Sequence, residues 1–135
     1  MVVRPTRCEG GMVCDHRGVP ATVLIVDDHA GFRASARALL DAEGFAVIGE
    51  AGDGASALEQ VHRLRPDVVL LDIQLPDMDG FAVAERIAAD PGPPAVVLIS
   101  SRDAAAYGPR VSRSPVVGFL SKSDLSGQSL ARILE

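Results

Sequence analysis

Short apolar runs that alternate with amphipathic segments constrain the fold of this chain more than any other feature. The runs are continuous rather than interrupted at every second position, and they are TVLIVDD (22–28), FAVIGE (45–50), DVVLLD (67–72), AVVLISS (95–101) and VVGFL (116–120). Between them, apolar residues recur at helical spacing, as in residues 29–43. Buried strands that alternate with helices predict a parallel sheet covered by helices on both faces.

Five such strands predict a doubly wound, flavodoxin-like α/β fold with strand order 2-1-3-4-5. The order is taken from known folds of this kind rather than from the residues. In it, the first and third strands are neighbours, and ligands bind beyond their carboxyl ends. Between the fourth and fifth strands, Gly108 and Pro109 interrupt the helical pattern, so we expect a short or irregular fourth helix.

The first twenty residues lack any period that would bury a face. Residues 1–20 are rich in Gly, Arg and Pro, and we expect them to form a flexible tail, with the folded domain spanning residues 21–135. Cys8 and Cys14 are expected to be reduced thiols without a role in the fold, and Met12 is an alternative start residue. No apolar segment follows Arg4 and Arg7 as a secretory signal would require.

Charge and hydropathy exclude two classes of function. The net charge of −5 argues against direct binding of nucleic acid, which requires a basic surface. No apolar run approaches the roughly 18 residues that a membrane-spanning helix needs. We therefore expect a cytoplasmic protein.

Three carboxylates follow two neighbouring strands of the predicted sheet. Asp27 and Asp28 end the first strand, and Asp72 ends the third. Adjacent strands lie about 4.8 Å apart, so these side chains would crowd one pocket and repel each other. A hard divalent cation would relieve the repulsion, and ligation by oxygen alone selects Mg²⁺ or Mn²⁺ over zinc.

Two further strand ends supply groups that suit a phosphoryl group. Ser100 ends the fourth strand and Lys122 follows the fifth. An ammonium and a hydroxyl beside a carboxylate-bound metal can neutralise and hydrogen-bond phosphoryl oxygens, and an Asp among them can act as a nucleophile. One Asp after a strand is usually a turn residue, but polar groups at the same edge of four strands favour a functional site.

Four segments together resemble the receiver domain of two-component response regulators. They are VLIVDDHAGFRASARALL, PDVVLLDIQLPDMDGFAVAERI, VVLISS and GFLSK. DDHAGFR and the GFLSK ending are similar to the subgroup that carries a LuxR-type (NarL/FixJ-like) DNA-binding domain. The resemblance covers residues 21–135.

The resemblance implies roles for individual residues. Asp72 would accept a phosphoryl group from a sensor histidine kinase, and Lys122 would contact it. Ser100 would be the switch hydroxyl and Phe119 the switch aromatic. The resemblance also implies that Mg²⁺ is bound by Asp28, Asp72 and the backbone carbonyl of Gln74, with Asp27 acting partly through water.

The same resemblance sets expectations for the whole domain. It would be a phosphorylation-controlled switch and not a turnover enzyme on an external substrate. Its output would be a protein contact, including a phosphorylation-dependent homodimer, that regulates transcription. Ser123 stands where the family often has a Pro that follows a cis peptide bond, so the isomer at Lys122–Ser123 is not predicted.

Two other functions use similar residues. Phosphatases of the haloacid dehalogenase type also combine a strand-end Asp with Mg²⁺, but they carry a second acid two positions later, where this chain has Gln74. A receiver-like interaction module that never takes phosphate typically lacks one of the acids or the Lys, and none is lost here.

Overall fold

The computed structural model of the protein describes residues 5–8, 12–15 and 17–135. The strands are β1 (Thr6–Arg7), β2 (Val13–Cys14), β3 (Thr22–Val26), β4 (Ala46–Ala51), β5 (Val68–Asp72), β6 (Ala95–Ser100) and β7 (Gly118–Ser121). The helices are α1 (Ala30–Ala42), α2 (Gly54–Leu64), α3 (Gly80–Ala88), α4 (Arg110–Arg113) and α5 (Gly127–Leu134). Short 3₁₀ segments span Ala104–Tyr107 and Lys122–Asp124.

The main sheet has five strands in the order β4-β3-β5-β6-β7, and every pairing in it is parallel. Numbered along the chain within this sheet, the order is the predicted 2-1-3-4-5, so the doubly wound fold is confirmed. Because all five strands run the same way, their carboxyl ends meet at one edge.

Alternate residues of each strand face two separate apolar layers. Val23 and Ile25 of β3 pack with residues of α1 and α5, whereas Leu24 and Val26 pack with residues of α2 and α3. All four side chains are fully buried. Burial on both faces is the physical reason why the strands read as continuous apolar runs.

The fourth helix is short, as predicted. The segment between β6 and β7 contains one 3₁₀ turn and the four-residue α4, and Gly108 between them has a φ of 60°. That backbone conformation is unfavourable for other residues, so the helix cannot run through this position. No residue of the 3₁₀ turn or α4 is buried.

The amino-terminal segment differs from the expected tail in its described residues. Strands β1 and β2 pair antiparallel, and Val13, which is 3% exposed, packs in the core layer beside α5. Cys8 and Cys14 form a disulfide bond instead of staying reduced. The expectation of reduced thiols is therefore wrong, because the pairing of β1 with β2 brings the two cysteines together. Val13 is buried although no local pattern indicates it, and the domain boundary at residue 21 stays a prediction. Residues 1–4, 9–11 and 16 of the expected tail lie outside the described residues.

No helix within the described parts of the chain is long and apolar enough to cross a membrane. The Lys122–Ser123 peptide bond is trans, as are the other described peptide bonds.

Candidate functional site

Three acidic side chains meet at the carboxyl edge of the sheet. Asp27 follows β3 directly and Asp72 is the last residue of β5, and these two strands pair up to Val26 and Leu71. Asp27 is fully buried and Asp72 is 4% exposed, whereas Asp28 is exposed. Ligating atoms of Asp27, Asp28, Asp72 and His29 all lie within 4.8 Å of one another. The fold thus brings together the three acids that the sequence placed at this edge.

Lys122 reaches into this pocket from the end of β7. Its Nζ lies 2.5 Å from Asp27 Oδ2 and 3.3 Å from Asp72 Oδ2, and 4.8 Å from the centre of the Phe32 ring. Burial by itself would lower the pKa of Lys122, but the contacts with Asp27 and Asp72 outweigh burial and raise that pKa above its usual value. The ammonium is therefore held charged between the two buried carboxylates.

For Asp72, in contrast to Lys122, the effect of burial on the pKa outweighs the effect of the oppositely charged neighbour. Burial raises the pKa of Asp72, and repulsion by Asp27 adds to the rise. The Lys122 ammonium and a hydrogen bond from the Gln74 backbone N–H, 3.2 Å from Oδ1, only partly offset these effects. One ammonium thus does not compensate the negative charge of the acids in this pocket, and a further positive charge would stabilise their ionised forms.

The donor set fits a hard divalent cation. Asp27 Oδ2 is buried and accepts no well-oriented hydrogen bond, although Lys122 lies beside it. The Lys122 ammonium is one cation for several acids, and a buried carboxylate is costly unless its charge is compensated. With the oxygens of Asp28 and Asp72 close by, the arrangement matches the ligands that Mg²⁺ prefers.

His29 was not identified from the sequence as part of this cluster. Its Nδ1 lies 3.0 Å from Asp28 Oδ1 and 3.2 Å from Asp27 Oδ1, and its side chain is 72% exposed. Its position directly after the two acids, at the start of α1, is the signal that could have indicated it. The predicted role of Gln74 involves its carbonyl, whereas the hydrogen bond to the pocket is made by its N–H, so that role stays a prediction.

Ser100 lies at the edge of the pocket but points to another partner. It is the last residue of β6, one position beyond Ile99, which pairs with Asp72. The side chain is 2% exposed, and its Oγ lies 2.6 Å from the Tyr107 hydroxyl and accepts a hydrogen bond of 3.0 Å from the Arg102 backbone N–H. Tyr107 is a second residue of the site that sequence reasoning missed.

The Tyr107 ring joins the hydroxyl of Ser100 to two other aromatic rings. The ring centroids of Tyr107 and Phe119 are 6.2 Å apart. The centroids of Tyr107 and Phe81 are 6.0 Å apart, and these two rings meet edge-on. Phe119, the predicted switch aromatic, is half-buried in β7. Phe81 also carries the Arg110 guanidinium over its ring at 4.2 Å. The segment after β6 is thereby packed through its side chains, although its helix is short.

The loop after Asp72 is anchored at both ends. Asp77 accepts hydrogen bonds of 2.8 and 2.9 Å from the backbone N–H groups of Gly54 and Ala55 at the start of α2, and these bonds lower the pKa of Asp77. Gly80 begins α3 so close to β5 that a Cβ there would lie 2.7 Å from the Ile73 Cα. Only Gly fits this approach, which keeps the loop fixed beside Asp72.

Comparison with known proteins identifies the family. Residues 23–134 match the response regulator receiver domain. The chain belongs to this family. Receiver domains are components of two-component signalling, and the match includes every strand end that contributes to the acidic pocket.

The matching relatives are named for different activities and are longer than this chain. The transcriptional regulatory protein NarL of Mycobacterium tuberculosis is 38% identical over 114 residues, which are 84% of this chain and 53% of NarL. The protein-glutamate methylesterase/protein-glutamine glutaminase 5 of Myxococcus xanthus is 46% identical over 83 residues, which are 61% of this chain and 24% of that enzyme. The chain thus spans about half the length of the first relative and less of the second.

A solved structure agrees with the fold. The signal receiver domain of NarL from Mycobacterium tuberculosis superposes with a TM-score of 0.75 at 36% identity, covering 84% of this chain and 92% of that one. The likeness supports the receiver fold with its parallel five-stranded sheet.

Proposed function

We propose that this receiver domain accepts a phosphoryl group on Asp72 from a sensor histidine kinase. The observation that carries the proposal is the position of Asp72, which is buried at the end of β5 and lies 3.3 Å from the Lys122 ammonium. In the transfer, an Asp72 oxygen forms a bond to phosphorus as the bond to the donor nitrogen breaks. The product is an acyl phosphate, which Lys122 can contact without moving far.

Mg²⁺ is the proposed cofactor, and Mn²⁺ could replace it. Asp28, Asp72 and the carbonyl of Gln74 would hold the ion, with Asp27 contributing partly through water. When bound, the ion supplies positive charge that offsets the charge of the phosphoryl oxygens. Two cations would then face the phosphoryl group, and the Lys122 ammonium is already placed between the acids.

The proposed output is a change in a protein contact and not turnover of an external substrate. The net charge of −5 makes direct contact with nucleic acid by this domain unfavourable. A phosphorylation-dependent homodimer is the proposed form of the contact, and control of transcription, as in NarL, is its proposed consequence. A cytoplasmic location is part of the proposal.

Transfer from a small phosphodonor tests the proposal directly. With acetyl phosphate and Mg²⁺, the mass of the protein should rise by one phosphoryl group, which alkali removes. Asp72→Ala should abolish the gain, Asp28→Ala should slow it by weakening metal binding, and Asp124→Ala, an exposed acid outside the pocket, should leave it unchanged. Labelling of the Asp72→Ala variant at the wild-type rate would show that another residue is the nucleophile.

A further inference from the structure

The hydroxyl of Ser100 is already engaged in the protein without a phosphoryl group. Its Oγ lies 2.6 Å from the Tyr107 hydroxyl and accepts the Arg102 N–H at 3.0 Å. Both partners belong to the segment that follows β6. Either hydroxyl can be the donor of the bond between Ser100 and Tyr107, and a serine hydroxyl has one proton to donate.

Tyr107 is held in place by packing and not only by this hydrogen bond. Its ring meets Phe81 edge-on, with an interplanar angle of 63°, and meets Phe119 at 55°. Aromatic pairs in these arrangements are favourable beyond the area they bury. The position of the phenolic oxygen is therefore set by two neighbouring rings as well as by its hydrogen bond to Ser100.

We propose that Tyr107 is a positioning residue that holds the Ser100 hydroxyl away from Asp72 in the unphosphorylated domain. The inference rests on the proposed acceptance of a phosphoryl group by Asp72. Ser100 can donate its proton to Tyr107 or to a phosphoryl oxygen, but not to both. The bond also holds Ser100 Oγ beside Tyr107 when the Tyr107 hydroxyl is the donor. With either donor, movement of Ser100 to a phosphoryl oxygen breaks this bond, and the strength of that hydrogen bond sets how readily the switch responds.

Release of Tyr107 also explains how the change would reach β7. The Tyr107 ring is in contact with Phe119, the switch aromatic. Loss of the bond to Ser100 would therefore let the Tyr107 ring move against Phe119. A hydrogen bond that exists in one state alone shifts the balance between the two states. Tyr107 thus links the hydroxyl at the end of β6 to the aromatic residue of β7.

Removal of one oxygen atom tests the inference. Tyr107→Phe keeps the ring contacts with Phe81 and Phe119 and deletes the hydrogen bond to Ser100. Titration calorimetry with beryllofluoride and Mg²⁺ should show that this variant binds the phosphoryl mimic about two- to tenfold more tightly than wild type, the effect of one such hydrogen bond. In a Ser100→Ala background the same substitution should change the affinity less than twofold, because the bond is already absent.

The tyrosine itself gives a second readout. The chain contains one Tyr and no Trp, so its fluorescence reports on Tyr107 alone. Beryllofluoride should change the emission of the wild-type protein, and Ser100→Ala should change it without any ligand.

The outcomes separate this inference from the proposed function. Tyr107→Phe with unchanged or weaker binding, or with the same gain in the Ser100→Ala background, would overturn the role of Tyr107 and leave Asp72 as the acceptor. Unchanged Tyr107 emission on binding would overturn it as well. A wild-type protein that fails to bind beryllofluoride with Mg²⁺ would refute the proposed function and the inference together.

Discussion

Lys122 offers a sharp test of the electrostatics of the pocket, because it is the only lysine of the chain. Lys122→Met keeps the apolar stem of the side chain and removes its charge. Asp27 then loses an ammonium at 2.5 Å and Asp72 one at 3.3 Å. Both acids remain buried, and among the described ion pairs the other contact to them is His29 Nδ1, 3.2 Å from Asp27 Oδ1, which is a cation only when protonated.

The expected loss in the free energy of unfolding follows from the exposure of the three side chains. The side chains of Asp27, Asp72 and Lys122 are 0%, 6% and 17% exposed. Loss of one partner from a buried pair costs about 3–5 kcal/mol, and loss of an exposed pair costs about 0–1 kcal/mol. Since Lys122 retains some contact with water, we expect Lys122→Met to lower the free energy of unfolding by about 2–4 kcal/mol without metal. The melting temperature should fall by about 8–16 °C.

Mg²⁺ should restore part of this loss, since it can replace the missing charge. Urea denaturation followed by circular dichroism, in EDTA and in Mg²⁺, measures both effects. Arg132→Met, which removes an exposed charge from α5, is the matched control and should change stability by less than about 0.5 kcal/mol. Asp72→Asn added to Lys122→Met should recover stability in EDTA, because it removes one of the two unpaired carboxylates.

The Lys122→Met variant should keep its affinity for Mg²⁺ and lose its response to phosphorylation. Lys122 occupies an oxygen of Asp27 that a metal would use, so Lys122→Met should bind Mg²⁺ no more weakly than wild type and at most about tenfold more tightly, a change of about 1.4 kcal/mol. The response to phosphorylation should nevertheless be lost. A variant that is as stable as wild type in EDTA, or that gains no more from Mg²⁺ than wild type does, would refute this reasoning.

Four further predictions concern the loop, the variable segment and assembly. Gly80→Ala should lower the free energy of unfolding, measured in urea, by about 1–3 kcal/mol, because its Cβ would meet the backbone at the end of β5. Gly31→Ala is the control, because a Cβ there would have no atom within 4 Å. Equal stability of the two variants would contradict the contact at Gly80. Asp77 has a lowered pKa in the folded protein, so it stabilises the fold above the unfolded carboxyl pKa of about 3.9 and loses that effect as the pH falls through the folded value. Asp77→Asn should therefore be less stable than wild type at pH 7, and the difference should vanish in strong acid; a difference that persists there would show that the charge is not responsible. Amide hydrogen exchange in residues 102–115 should be fast and should slow with beryllofluoride, and exchange that is equal in both states would make the segment a passive loop. Light scattering should detect a shift from monomer to dimer with beryllofluoride, and a constant mass over a wide concentration range would favour a separate partner.

Local sequence patterns were sufficient for the sheet and for the acids at its edge. Each strand of the main sheet is a largely apolar run, and parallel strands bring their carboxyl ends to the same side. Asp27, Asp28 and Asp72 were therefore expected at one edge once the strands were recognised, and the strand order borrowed from known folds made the first and third strands neighbours. The short fourth helix was equally local, because Gly108 and Pro109 act on the backbone where they stand.

The partners of the site side chains were decided by tertiary structure. Nothing in the segment after β6 indicates that Tyr107 bonds Ser100 and contacts Phe119, since the direction of a side chain depends on how its segment packs. Val13 lies in a two-residue strand that is too short to show a period, and it is buried because α5, more than a hundred residues later, leaves room for it. Apolar periodicity encodes which face an element buries, but contacts between distant segments carry no such repeat, so only the folded chain determines them.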